Sequence, residues 1–360
     1  MPYGSSKQMI PVLLMSFLFS LGGCAAEIDS TSNNNQTEAK QISKNTDNRL
    51  DVVKNRGSLI CGVNGQLPGF SSVDSDGNYS GMDVDLCRAV ASALFDDPNA
   101  VEFRNLNAEE RFIAVQSGQI DLLSRNTTWT LNRDAVEGMD FTPITFYDGQ
   151  GLLVSQDSEI ENLEDLDRKS ICVVSGTTTE QNLAEQMQKR GFSYAPIVFE
   201  DADRLYSAYE QRECEIATGD RSQLISRRAT LKNPEQHKVL NLVLSKEPLS
   251  PVVADGQSEW FDVVKWVTYA TIKAEELGIN SQNVARFART NNPQIQRFLG
   301  MKSNLGQNMG LSPDFAKRVV KQVGNYGEIY ERNIGKPYGL PRGANALWKN
   351  GGLMYSPPFR

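Results

Sequence analysis

Residues 124–133 read SRNTTWTLNR. They follow a short apolar run, Asp121 to Ser124, which reads as a strand. A strand that ends in a hydroxyl-rich, arginine-bearing loop is how an open α/β sheet presents a ligand site, beyond the carboxyl ends of its strands. Two further segments share this character. SGTTTE at 175–180 turns from a predicted strand into a helix, and TGD at 218–220 closes another strand on an aspartate. An arginine fork and the free N–H groups at a helix start suit a carboxylate. An aspartate and hydroxyls suit an ammonium. A free α-amino acid carries both charges, so the three segments together point to an amino-acid receptor rather than a catalytic centre.

Outward from this loop the pattern is α/β. On the N-terminal side, Ser58–Val63 and Val101–Arg104 read as strands, and Met82–Phe95 and Ala108–Ser117 as helices, the first with Leu86, Val90 and Leu94 four apart. The pattern restarts near Phe146. Ser170–Val174, Tyr194–Phe199 and Cys214–Thr218 read as strands, with helices from about Thr179 to Lys189, Asp201 to Gln211 and Asp220 to Leu231. After Leu244 the chain reads as mostly helical. Trp260, Val264, Val267 and Thr271 share a face, Ser281 is a candidate N-cap for a helix through Phe287, and Ser312-Pro313 opens another with Phe315, Val319 and Val323.

The chain has 360 residues, room for two domains, and 39% hydrophobic content supports real cores. Its 37 basic and 44 acidic residues leave a net charge of −7, which argues against a nucleic-acid or acidic-membrane partner. Lys7 precedes an apolar stretch, Ile10 to Leu21, too short to span a bilayer and suited to a signal peptide over residues 1–23. Leu21-Gly22-Gly23-Cys24 resembles the lipobox of bacterial lipoproteins, which implies lipidation at Cys24; an ordinary signal peptide with a chance cysteine is the alternative. Residues 24–48 carry almost no large apolar side chain and read as a flexible tether.

CGVNGQLPGFS (61–71), GMDVDLCRAVA (81–91), SRNTTWTLNRD (124–134), YDGQG (147–151), SGTTTE (175–180), SKEPLSP (245–251), WFDVVKW (260–266) and KQVGNYGEIYERN (321–333) are among eleven segments that, in this order, resemble the solute-binding proteins of bacterial ABC transporters for polar amino acids, most nearly the general L-amino-acid branch. The resemblance spans about residues 50–360. It implies an α/β fold of the type II periplasmic binding protein kind: two lobes, each a mixed sheet flanked by helices, joined by a two-strand hinge. Lobe 1 would be 50–148 with 250–360, lobe 2 149–249, and the crossings FYDGQG and LSKEPLS. The implied function is extracytoplasmic capture of free L-amino acids and delivery to a membrane permease, from a periplasmic location with a lipid anchor, without cofactor or metal.

Carried onto this sequence, the resemblance makes Arg133 the fork for the α-carboxylate and Asp220 the carboxylate for the α-ammonium. Asn126 and Thr128 would meet the same headgroup, and Thr178 would grip the carboxylate from lobe 2. Each has a plainer reading: a turn-capping arginine for Arg133, turn chemistry for Asn126 and Thr128, and helix capping for Thr178 and Asp220. Leu67, Phe70, Arg111 and Trp129 are candidates for the side-chain pocket, with core packing the alternative for Phe70 and Trp129 and a solvated helix face for Arg111. Past the lipobox four cysteines remain, and their spacings match no zinc pattern. In an exported protein disulfides are expected; Cys61–Cys87 with Cys172–Cys214 is preferred because each bridge stays inside one lobe, and buried thiols are the alternative.

An enzyme on the same fold is a competing reading. The sole histidine, His237, follows a stretch read as loop, and no Ser/His/Asp or Cys/His pairing, GxSxG, P-loop or HExxH occurs. A chemoreceptor or signalling component for the same ligand is a third reading.

Overall fold

Two five-stranded sheets share one strand plan. A computed structural model describes residues 48–360; the signal segment, Cys24 and the tether through residue 47 lie outside the described residues. In the first sheet the strand Leu59–Val63 runs parallel to Val101–Asn105 on one side and to Leu122–Leu123 on the other. Val252–Ala254 then joins antiparallel between Leu122–Leu123 and Met139–Phe141. In the second sheet Ser170–Val174 runs parallel to Ala195–Phe199 and Ile216–Asp220, and Gln150–Ser155 joins antiparallel between Ile216–Asp220 and His237–Val239. In each sheet four strands therefore run one way and a single strand, Val252–Ala254 or Gln150–Ser155, runs against them. The chain leaves the first sheet, builds the second, and returns to supply Val252–Ala254.

The crossings pair with each other. Phe146–Asp148 lies antiparallel to Glu247–Leu249, with Asp148 opposite Glu247 and Phe146 opposite Leu249. Two paired crossings permit bending while keeping the halves in register.

Burial explains the strands. Along the second sheet neighbouring apolar residues alternate sides. Leu153, Cys172 and Ala217 pack with Leu205, Tyr209 and Leu224, whereas Leu152, Val154, Ile171 and Ile216 pack with Leu183 and Met187. Both faces are covered, so these strands are apolar almost throughout. The first half has a larger core, built on the helices Met82–Phe95, Ser258–Glu276 and Phe315–Gln322. Trp260 is fully buried there, and its indole N–H donates to the Asp121 carbonyl at 2.7 Å, tying the C-terminal helices back to the first sheet. Helix Met82–Phe95 starts at Gly81, where φ is 131° and an added Cβ would lie 2.0 Å from the Phe70 carbonyl oxygen, so only glycine fits. Disulfides join Cys61 to Cys87 and Cys172 to Cys214, the first stapling a strand to this helix.

Three local expectations shift. The helix expected from Ala108 begins only at Arg111, because the Asn107 side chain accepts the N–H groups of Glu109 and Glu110 and holds a turn there. The strand expected over Cys214–Thr218 lies over Ile216–Asp220, extended by pairing of Gly219 and Asp220 with Gly151 and Gln150. Ser281 caps no helix: its N–H and hydroxyl donate to Glu328, and a short 3-10 turn, Val284–Arg289, follows. Among the described residues no helix is long and apolar enough to cross a membrane.

Candidate functional site

The loops at the ends of both sheets face a cavity of about 180 Å³. From the first half, Arg111, Arg125, Asn126, Thr128 and Arg133 line it; from the second, Thr177, Thr178, Tyr206, Asp220 and Gln223.

The SRNTTWT loop is held from behind by Asp83, in the first turn of helix Met82–Phe95. Asp83 accepts the Asn126 N–H at 2.9 Å and the Ser124 hydroxyl at 3.2 Å, which stabilises Asn126 at its unusual φ of 35°. Burial pushes the Asp83 carboxyl up to about 7, against the pull of those donors and of Arg125. The Arg125 Nε donates to the Leu106 carbonyl at 2.8 Å, and burial pushes this guanidinium down to about 10.

Arg133 donates through Nη1 to the Thr128 carbonyl at 2.8 Å and sits over the Phe112 ring, 5.2 Å from its centroid. Arg111 lies over the same ring at 4.7 Å. It is 3% exposed, touches the Gly176 carbonyl through Nη2 at 3.4 Å, and its Nε has no partner among the described residues. Burial and the neighbouring Arg125 and Arg133 hold it well below the usual arginine range. Three buried cations thus crowd one wall.

The opposite wall is acidic. Asp220 is the last residue of its strand and stands at the N-cap position of helix Arg221–Arg228, yet its side chain makes no capping bond. Among the described residues its side chain accepts only a long contact from the Asn126 Nδ2 at 3.5 Å. Burial, then the nearby Asp148 and Glu247, raise its carboxyl well above the ordinary range. Asp148, on the first crossing strand, accepts from the Gly149 N–H and from both the N–H and hydroxyl of Ser222, and burial pushes it up to about 6. An unpaired buried carboxylate beside a second one is an unfavourable arrangement that an incoming cation relieves.

In SGTTTE the capping falls to Thr177, whose hydroxyl oxygen accepts the Glu180 N–H at 3.2 Å. Thr178, the first residue of helix Thr178–Arg190, is therefore not the cap; it lines the cavity with the positive helix end behind it, its hydroxyl donating to Glu247 at 2.9 Å.

The structure brings Asn126, Thr128, Arg133, Thr178, Asp220 and Arg111 to the cavity wall. It does not bring the three apolar candidates there. Leu67 is buried in the core of the first half, 1% exposed, because its neighbour Gln66 takes the cavity-facing side of a short strand. Phe70 packs edge-on against Phe146 at 5.1 Å, beside a separate space of about 20 Å³. Trp129 turns outward, stacks on Phe141 at 5.8 Å and donates its indole N–H to Asp134. Sequence reading missed Arg125, Tyr206 and Gln223 as lining residues. Arg125 stood within the loop already singled out, whereas Tyr206 and Gln223 gave no signal beyond helical spacing. Among the described residues no cluster of His, Cys, Asp and Glu could hold a metal ion.

Residues 59–335 match the family described as bacterial extracellular solute-binding proteins, family 3. The chain belongs to this family. Its relatives within it include the general L-amino acid-binding periplasmic protein AapJ of Rhizobium johnstonii, 50% identical over 86% of this chain and 92% of that protein. The glutamate/glutamine/aspartate/asparagine-binding protein BztA of Rhodobacter capsulatus is 45% identical over 86% of this chain and 93% of its own. Among solved structures of such solute-binding proteins, an ABC transporter periplasmic binding protein from Brucella ovis with glutathione bound superposes with a TM-score of 0.85 at 46% identity, covering 86% of this chain and 99% of that one.

Proposed function

We propose that this family 3 solute-binding protein captures free L-amino acids between two closing lobes and hands them to an ABC transporter permease. One observation carries the reading: a buried guanidinium, Arg133, and a buried carboxylate with no salt bridge among the described residues, Asp220, line a single cavity from loops of different sheets. A zwitterion neutralises both, and neither half alone offers both charges. Binding therefore favours the arrangement in which the halves meet. The lobes are taken as 50–148 with 250–360, and 149–249, bending at the paired crossings. Relatives whose names specify amino acids support this choice of ligand.

Arg111 adds a preference. The cavity holds three arginines, and Arg111 has no carboxylate within ion-pair distance among the described residues. A ligand with a second carboxylate or a side-chain carbonyl supplies the missing acceptor, so acidic amino acids and their amides should rank above apolar ones. The protein acts in the periplasm, anchored through lipid on Cys24, and performs no chemistry on the ligand. A thermal-shift screen of the twenty L-amino acids tests the reading. Stabilisation by several of them is expected, and a flat response to all twenty would overturn it.

A further inference from the structure

We propose that Glu247, on the returning crossing strand, is a positioning residue for ligand capture, holding the hydroxyls of Thr128 and Thr178 together across the cleft. The proposal rests on the reading of this cleft as an amino-acid site. Glu247 is 1% exposed and does not itself line the cavity. Its Oε2 accepts the Thr128 hydroxyl at 2.6 Å and the Thr178 hydroxyl at 2.9 Å, one from the first half and one from the second. Its Oε1 accepts the Asn182 Nδ2 at 2.8 Å and the Ser245 hydroxyl. No salt bridge reaches it among the described residues. A buried carboxylate served only by neutral donors is costly unless every lone pair is used, and here four donors use them.

The placement couples three moving parts. Asn182 follows Thr178 by four residues, so both lie on one face of helix Thr178–Arg190 and grip Glu247 together. Thr128 is clamped at both ends, its carbonyl by Arg133 and its hydroxyl by Glu247. Glu247 pairs with Asp148 at the crossing itself. A single oxygen can accept from both threonines only when the two loops are together.

The same bonds set polarity. A hydroxyl has one proton, and each threonine spends it on Glu247. Toward the cavity, both oxygens can only accept. They suit the ligand ammonium, and the ligand carboxylate is left to Arg133 and to the backbone N–H groups opening the helix. Glu247 thus orients the headgroup without touching it.

Replacing Glu247 by Gln keeps the shape and turns one acceptor oxygen into a donor. With the best-binding amino acid from the screen as probe, Glu247→Gln should raise Kd roughly tenfold to a hundredfold, and the ligand-free radius of gyration should increase. Because Glu247 acts through Thr178, the penalties of Glu247→Gln and Thr178→Val should not add in the double variant, and Thr178→Ser, which keeps the hydroxyl, should recover most of the affinity lost in Thr178→Val. Unchanged affinity in Glu247→Gln, or additive penalties, would overturn the proposal. Should Glu247→Gln fail to fold, Asn182→Leu replaces it: Asn182 lies outside the cavity lining, so weakened binding there supports positioning and unchanged binding refutes it. If the parent protein binds none of the twenty amino acids, the ligand reading falls. The tie itself is then still judged by ligand-free scattering, where an equal radius in Glu247→Gln overturns it.

Discussion

The two sheets repeat one strand order, yet the loops at their ends carry opposite charge. The first half brings Arg111, Arg125 and Arg133 to the cleft; the second brings Asp220, backed by Asp148 from the crossing. The shared plan follows from burying apolar strands on two faces, and it dictates only where the loops lie. What the loops hold is free to differ. Each half presents a buried charge in need of a partner, which is why the proposed function ties closure to recognition.

The sharpest way to break this contrast is to erase one charge at a time. Asp220→Ala and Arg133→Ala should each cost about 2–5 kcal/mol of binding, tens to thousands-fold in Kd. Arg133→Lys should recover only part, since the bidentate fork is lost. The two alanine variants should differ without ligand. Asp220→Ala removes a buried repulsion with Asp148 and should leave the melting temperature unchanged or higher. Arg133→Ala loses the bond to the Thr128 carbonyl and should lower it. Calorimetry and thermal melts read both, and unchanged affinity in both variants would mean that the charged walls are not the site.

The disulfides extend the comparison to stability. Cys61–Cys87 and Cys172–Cys214 close loops of 26 and 42 residues, each inside one sheet-bearing half. The chain-entropy relation gives about 3.5 and about 4 kcal/mol respectively. The second half has only small core clusters among the described residues, whereas the first has a large one beside a small one, so serine replacement of Cys172 and Cys214 should destabilise it more visibly. Denaturant unfolding of the two double-serine variants checks the order. Equal losses in the two variants would contradict that order.

A smaller effect concerns pH. Asp83 is pushed up to about 7, Asp148 to about 6, and Asp220 upward as well, all mainly by burial. In the unfolded chain these carboxyls ionise near 4. The folded state therefore holds more protons between about 4 and 7, and by linkage these three groups make the ligand-free protein lose stability as pH rises through that window. A bound ammonium favours ionised Asp220, whose carboxyl is raised without ligand, so binding should release rather than take up protons. Titrations in buffers of different ionisation enthalpy measure that release. Proton uptake instead would contradict the placement of the ammonium at Asp220.

Much of the fold was legible because burial writes itself into spacing. Met82–Phe95 and Ser170–Val174 lie where apolar periodicity put them, and the three polar segments at strand ends meet at one cavity. Leu67, Phe70 and Trp129 were not legible: an apolar side chain beside a site loop looks the same in sequence whether it faces the cleft, the core or a neighbouring ring. Glu247 was equally hidden. It stood in a segment read only as hinge, and its donors Thr128, Thr178 and Asn182 lie 119, 69 and 65 residues away in sequence. Such a contact exists only after both sheets have formed.

The central claim is that the cleft recognises both ends of a zwitterion. It is tested most directly by titrating the protein with its best-binding L-amino acid and with the two analogues that lack either the α-carboxylate or the α-ammonium. The account predicts saturable binding of the amino acid and a loss of roughly a hundredfold or more for each analogue, since each leaves one buried charge unpaired. An analogue without its ammonium that binds as tightly as the amino acid would contradict it.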